Sequence, residues 1–158
     1  MKRIYTRNGD NGSTKDYSGR EIPKDDPKII VVGKIDTLQA AVDTAAFYAR
    51  DKNKEILEWV QKKLGGIAGE ISCAAAAATE LDLKILEAYT ESYGAPPKTF
   101  VRFNTLEALA LNECRVRCRE LETSAVKLLR TKEINNLTYR YLNRASSLFF
   151  MMAYCATK

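Results

Sequence analysis

The stretch that decides the fold is residues 104–130, NTLEALALNECRVRCRELETSAVKLLR. Asn104 or Thr105 can cap its start, and the stretch then predicts one long helix reaching about Arg130. Asn112, Arg115, Arg119 and Glu122 follow one another at steps of three, four and three. They share one helix face, a polar stripe on a helix long enough to be central in a bundle. Leu111, Val126 and Leu129 must supply the apolar packing nearby, which brings the stripe to the edge of the core. A solvated face laced with Glu–Arg pairs is the plainer account of the same pattern.

Reading outward, a helix is expected from Asn136 to near the C-terminus, carrying Leu137, Tyr141, Leu148, Phe149 and Met152. Its polar patch is Asn143, Ser146 and Ser147. Upstream, Thr79 caps a helix running to about Tyr93, where Gly94, Pro96 and Pro97 force a break. Before it, a helix starting near Lys54 carries the stripe Ile56, Leu57, Val60, Leu64, Ile67 and Ile71. Gly65, Gly66 and Gly69 suggest a kink or a close helix approach there, and the alanine run 74–78 favours helix. Asp36 is the expected cap of a first helix with Leu38, Ala41, Val42, Ala45 and Ala46, ending near Asp51. Residues 1–35, whose only clear apolar run is IIVVGKI, residues 29–35, read as mostly irregular with one short strand.

Five helices with short connections imply an all-α fold, a five-helix bundle of ferritin-like, up-down style. The chain reads as a single domain over residues 1–158, with the bundle from 36 to 158 behind an N-terminal segment, 1–35.

Composition narrows the function classes. The chain has 158 residues, 46% of them hydrophobic and 28% charged, which suits an ordinary globular domain. With 25 Lys and Arg against 20 Asp and Glu, the net charge is +5. That suits an anionic small molecule as well as nucleic acid. The basic residues are spread rather than clustered with aromatics, which argues against a nucleic-acid partner. Histidine is absent, excluding Ser-His-Asp triads, His-Cys zinc sites and imidazole switches within this chain. No apolar stretch approaches bilayer length, and the opening MKRIYTRNGD turns polar at once, so no membrane partner and a cytoplasmic location are expected. Cys73, Cys114, Cys118 and Cys155 read as small hydrophobes with reduced thiols.

Two N-terminal stretches carry chemistry. In YTRNGDNGST, residues 5–14, two glycines three apart lie among hydroxyls, flanked by Arg7 and Lys15. Backbone N–H groups can approach an anion where no Cβ intrudes, and the cations neutralise it. The stretch matches neither common glycine-rich phosphate motif, and an ordinary surface turn is the alternative. In REIPKDDPK, residues 20–28, Lys24 can reach a phosphate as a point charge.

Taken together and in order, these stretches resemble the cobalamin adenosyltransferases of the PduO type. Tyr5 to Thr14 is similar to the family's Y-T-[RK]-[TN]-G-D-x-G-x-T opening, and Arg20 to Pro27 to its R-x-x-K-D-D-P loop. Val32 to Gln39 stands where the family has a Y-G-x-V-D-E-L-N-like helix start. Cys114 to Thr123 resembles A-R-x-x-C-R-R-A-E-R, and Tyr141 to Ser147 resembles Y-L-N-R-L-S-D. The resemblance covers nearly the whole chain.

It implies transfer of the 5′-deoxyadenosyl group of ATP to cob(I)alamin in a homotrimer, with ATP between neighbouring subunits and corrinoid beside it. Thr6, Arg7, Gly9, Asp10, Gly12, Thr14 and Lys24 would hold the triphosphate, and Arg119, Glu122 and Asn143 would complete the nucleotide site. Asp36 and Arg115 would form an ion pair supporting the interface and the active site. Phe100 or Phe103 would meet the corrinoid, and Mg²⁺ would bridge phosphate oxygens. A reductase and an adenosylcobalamin-dependent enzyme are the further partners implied.

Several positions depart from the family pattern. Glu120 stands for the second Arg of the R-R pair, Thr123 for the Arg after Glu122, Thr37 for an acidic residue and Ser147 for Asp. Phe100 to Thr105 lacks the family's Pro-Gly-Gly. Either Arg102 or Arg117 covers the lost charge, or the chain is a weakened relative, a trimeric module that binds ATP or corrinoid.

Overall fold

In a computed structural model, the structure describes Ile4, Tyr5, Arg7, residues 9–73 and residues 76–157. Its elements are a hairpin, β1 (Ser13–Lys15) and β2 (Glu21–Pro23), followed by α1 (Pro27–Tyr48), α2 (Asp51–Cys73), α3 (Glu80–Glu91), α4 (Leu106–Arg130) and α5 (Asn136–Cys155). α4 packs against both α1 and α5, with α2 beside α1 and α3 beside α5. The expected five-helix bundle is therefore present. Among the described residues, no helix is long and apolar enough to cross a membrane.

The N-terminal third differs from expectation. The IIVVGKI run is helix, not strand, and α1 begins about ten residues before the expected cap at Asp36. Asp26 is the cap: its side chain accepts from the Lys28 N–H at 2.8 Å, and Pro27 occupies the first turn, where no amide donor is needed. Val31, Ile35, Leu38, Val42 and Ala45 are buried at steps of four, three, four and three. Their packing overrides the strand preference of the β-branched residues. Asp36 lies mid-helix on the exposed side.

The short sheet lies elsewhere, in polar residues. Thr14 faces Ile22 and Lys15 faces Glu21, in antiparallel register. Asp16 shapes the hairpin turn by accepting from Ser18 Oγ at 2.6 Å and Arg20 N at 2.9 Å. Gly19, at φ +83°, supplies the left-handed residue that turn requires.

α2 starts at Asp51 and runs unbroken through its glycines. Its apolar stripe is buried as expected. Trp59 reaches across to Tyr89 of α3 and Tyr141 of α5, ring centroids 5.7 and 5.8 Å away. Ala76–Ala78 are not helical. Buried Glu70, near the end of α2, accepts instead from Ala77 N at 2.8 Å, Asn135 N at 2.6 Å and Thr138 Oγ1 at 2.6 Å. One side chain thus joins α2 to the approach of α3 and the start of α5.

Thr79 and Asp82 form a reciprocal capping box on α3, and Lys63 of α2 pairs with Asp82 at 2.6 Å. Burial opposes the Asp82 charge, but the bonds from Lys63 and Thr79 hold its carboxyl below the usual range. Thr105 caps α4 through Ala108 N and donates to Ala156 O at 2.9 Å, tying the loop before α4 to the end of α5. All four cysteines are free thiols. Cys114 and Cys118 are buried, Cys155 half-buried and Cys73 exposed. Burial pushes the Cys114 thiol up to about 12 and Cys118 higher still.

Candidate functional site

The first half of the site is the loop leading into the hairpin. Lys24 Nζ donates to Gly9 O at 2.8 Å, and Lys24 N donates to Gly12 O at 2.9 Å. A Cβ at Gly9 would lie 2.8 Å from Lys24 Nζ and 3.2 Å from Ser13 O, so a side chain there would displace the lysine. Asp10 N donates to Arg7 O and Gly12 N to Gly9 O, both at 3.3 Å. The Arg7 guanidinium stands 5.7 Å from the Tyr5 ring centroid. Arg7, Gly9, Asp10, Gly12 and Lys24 are thus gathered in one turn. Thr14 sits alongside in β1, and Thr6 lies outside the described residues.

The second half is the polar face of α4. The 3.6-residue period places Asn112, Arg115, Arg119 and Glu122 in line. Arg115 Nε donates to Asn112 Oδ1 at 2.9 Å. Glu122 Oε1 accepts from Asn143 Nδ2 at 2.9 Å and from Tyr139 OH at 3.2 Å, so the α4 and α5 patches meet. Burial and the Glu122 carboxylate raise the Tyr139 pKa, keeping its phenol a donor.

Arg115 lies where three clefts meet. One, of about 470 Å³ between α3, α4 and α5, is lined by Thr90, Gly94, Arg115, Arg119, Ser146 and Phe150. A polar cleft of about 520 Å³ is lined by Lys34, Arg115, Arg119, Glu120 and Thr123. An apolar cleft of about 530 Å³ is lined by Phe100, Arg102, Phe103, Asn112, Arg115 and Phe150. Phe103 and Phe150 meet edge to face, ring centroids 6.4 Å apart. Phe100 is 93% exposed at the rim.

Among the described residues the two halves share none of these clefts. None of these three clefts is lined by a described residue of the glycine-rich loop. Asp36 and Arg115 form no ion pair within the chain: Arg115 turns to Asn112, and Asp36 is exposed on α1.

The departures also find their places. Glu120 is bound by Arg117 at 3.2 Å and Lys34 at 3.9 Å, while Arg117 also holds Glu113 at 2.7 Å. Arg117 is therefore engaged by two carboxylates rather than free to replace a lost cation. Thr123 donates back to Arg119 O, and Thr37 to Gly33 O, both at 2.9 Å. Sequence reasoning missed Phe150, Tyr139 and Lys34. Tyr139, one turn before Asn143, was open to the same spacing argument. Lys34 comes from another helix and left no local signal.

A profile of the cobalamin adenosyltransferases matches residues 4–156, almost the whole chain. The chain belongs to the cobalamin adenosyltransferase family. It is 31% identical to a corrinoid adenosyltransferase from Citrobacter freundii, over 97% of this chain and 94% of that one. Its fold is similar to that of a variant PduO-type ATP:corrinoid adenosyltransferase from Lactobacillus reuteri complexed with cobalamin and ATP. The TM-score is 0.86 at 25% identity, over 98% of this chain and 91% of the other. A second Lactobacillus reuteri variant, complexed with ATP, gives 0.84 at 27% identity over 98% and 94%. The molecule is the five-helix bundle that the sequence resemblance implied, with α1 starting earlier, at Pro27.

Proposed function

We propose that this chain transfers the 5′-deoxyadenosyl group of ATP to cob(I)alamin, giving adenosylcobalamin and triphosphate. The observation that carries this reading is the position of Arg115, with a cationic polar cleft on one side and an aromatic one on the other. Such a junction suits two substrates of opposite character, a polyphosphate and a large macrocycle. The cobalt electron pair attacks ribose C5′ in line, the Co–C bond forms, and the C5′–O bond to triphosphate breaks. Cob(I)alamin is itself the nucleophile, so the protein needs no general base. Its residues hold the reactants in line and stabilise leaving-group charge.

In this proposal Thr6, Arg7, Gly9, Asp10, Gly12, Thr14 and Lys24 of one subunit hold the triphosphate. Arg119, Glu122 and Asn143 of a neighbour complete the nucleotide site. That the described residues of the two halves share no cleft supports sites between the subunits of a homotrimer, where Asp36 of one copy would pair with Arg115 of another. Phe100 and Phe103 line the corrinoid side. Among the described residues no three metal-ligating side chains cluster, so the donor set suits magnesium held on phosphate oxygens rather than in a protein cage. A cytoplasmic location, a reductase supplying cob(I)alamin and an adenosylcobalamin-dependent enzyme taking the product complete the reading.

The direct test is spectral: adenosylcobalamin should form from ATP and reduced cobalamin, beside a titration of ATP binding. ATP binding without product would favour a trimeric binding module, a reading for which the Glu120 carboxylate in the polar cleft speaks. Light scattering that finds a monomer at micromolar concentration with ATP present would defeat the shared site.

Two substitutions probe the phosphate half. Lys24→Ala should weaken ATP binding by about 1.5–3 kcal/mol, the worth of one charge-assisted contact. The melting curve should barely move, because an exposed loop change usually costs less than about 0.5 kcal/mol. An unchanged dissociation constant in calorimetry would remove Lys24 from the site.

Glu120→Gln should tighten ATP several-fold by removing a negative charge from the polar cleft and releasing Lys34 towards it, while Arg117 stays on Glu113. A unit charge about 8 Å from a phosphate is worth roughly 2 kcal/mol at an effective dielectric of about 20, before salt screening. Titration at low and physiological salt checks both the gain and its attenuation by salt.

A further inference from the structure

Arg102 is a cation to which the reaction above assigns no role. It is exposed in the loop between α3 and α4, and it lines the apolar cleft with Phe100, Phe103 and Phe150. Among the described residues its guanidinium has neither an ion-pair nor a hydrogen-bond partner. That sets it apart from Arg117, which two carboxylates hold, and from Arg115, which donates to Asn112. Of the three clefts around Arg115, it borders only the apolar one, whereas Lys34 and Arg119 do not border that cleft at all.

These placements assign Arg102 an anion, and they separate two sources of one. A triphosphate carries three to four charges and suits the polar cleft, where Lys34, Arg115 and Arg119 converge. The walls around Arg102 are Phe100, Val101, Phe103, Leu109 and Phe150, which suit the flank of a macrocycle. A complete corrinoid such as cobalamin is edged by neutral amides and carries one fixed anion, the phosphodiester of its nucleotide tail. A planar guanidinium matches a phosphodiester with two parallel N–H donors, and a neighbouring apolar surface strengthens the contact by excluding water.

We propose that Arg102 binds the phosphodiester of the corrinoid's nucleotide tail and so makes this enzyme prefer tailed corrinoids over those lacking the tail. The proposal rests on the adenosyltransferase reading. It goes beyond that reading by naming which form of the substrate the loop selects, and by which group.

The test uses the full chain with ATP and either reduced cobalamin or reduced cobinamide, which lacks the tail and its phosphodiester. In Arg102→Ala the ratio of kcat/KM for cobalamin to that for cobinamide should fall about tenfold, through the KM for cobalamin. Arg102→Lys, which keeps the charge and loses the fork, should recover part of the ratio. The KM for ATP and the melting curve should stay in place. An unchanged ratio, an equal loss on both corrinoids, or a raised KM for ATP would each overturn the assignment. The last would mark Arg102 as a triphosphate ligand. Wild-type chain that adenosylates neither corrinoid would defeat the functional reading alone. Equilibrium titration of the two corrinoids, wild type against Arg102→Ala, then still decides the role of Arg102.

Discussion

Arg115→Ala is expected to lower kcat/KM for adenosylcobalamin formation by about 10²–10³-fold, the usual loss when one preorganised donor leaves a site of charge development. Among the described residues Arg115 alone is common to all three clefts, so its removal loosens both substrates at once. Its side chain is half-buried and oriented by Asn112, so little ordering remains to be done when ligands arrive. Arg115→Lys should recover a minor part, because an ammonium keeps the charge without the planar fork. The substitution lies beside the core rather than in it, and thermal melts should show a folded bundle. Steady-state kinetics on both variants check the claim. Activity within threefold of wild type in Arg115→Ala would show that the junction of clefts is not where the reaction occurs.

Glu70→Ala should have the largest effect on stability. Glu70 is 5% exposed and accepts from two backbone amides and one hydroxyl, one on the approach to α3 and two at the start of α5. Truncation leaves those donors without an acceptor in a buried place, at a cost of about 3–5 kcal/mol. For a domain of this size that corresponds to a fall of on the order of 10 °C in melting temperature. Glu70→Gln retains one acceptor oxygen and should lose less. Glu70 lines none of the clefts around Arg115, so turnover per folded molecule should be preserved below the new transition. A Glu70→Ala melt matching wild type would mean that water replaces the carboxylate without penalty.

The parts of the fold legible in the sequence are those whose signals are local. Thr79 and Thr105 announce their helices because a hydroxyl at the first turn meets a free amide two or three residues on. The α4 stripe follows from spacing alone. The start of α1 is not legible locally, because Ile29 to Val32 look like strand when taken singly. Asp26-Pro27 was the better signal, and burial of Val31 and Ile35 against the bundle decides the outcome. The site was legible as a list of residues but not as an assembly. Spacing puts Arg115 and Arg119 on one face. It cannot show that Lys34, more than eighty positions earlier, joins Arg117 on Glu120. Nor can it show that the described residues of the glycine-rich loop line none of the clefts around Arg115.

The uneven exposure of the four thiols gives the protein a built-in reporter position. Cys114 and Cys118 are sealed in the core with their thiolates suppressed, whereas Cys73 stands exposed at the end of α2. Cys73 also borders a cleft with Tyr17 and Ser18 of the hairpin turn. A maleimide dye should therefore attach first at Cys73, and Cys73→Ser should abolish the fast phase of labelling. A dye held there lies beside the hairpin that carries Lys24 but outside the clefts around Arg115. Its emission can follow ATP arriving at the loop, in real time and without a corrinoid, and so time the first substrate separately from the second.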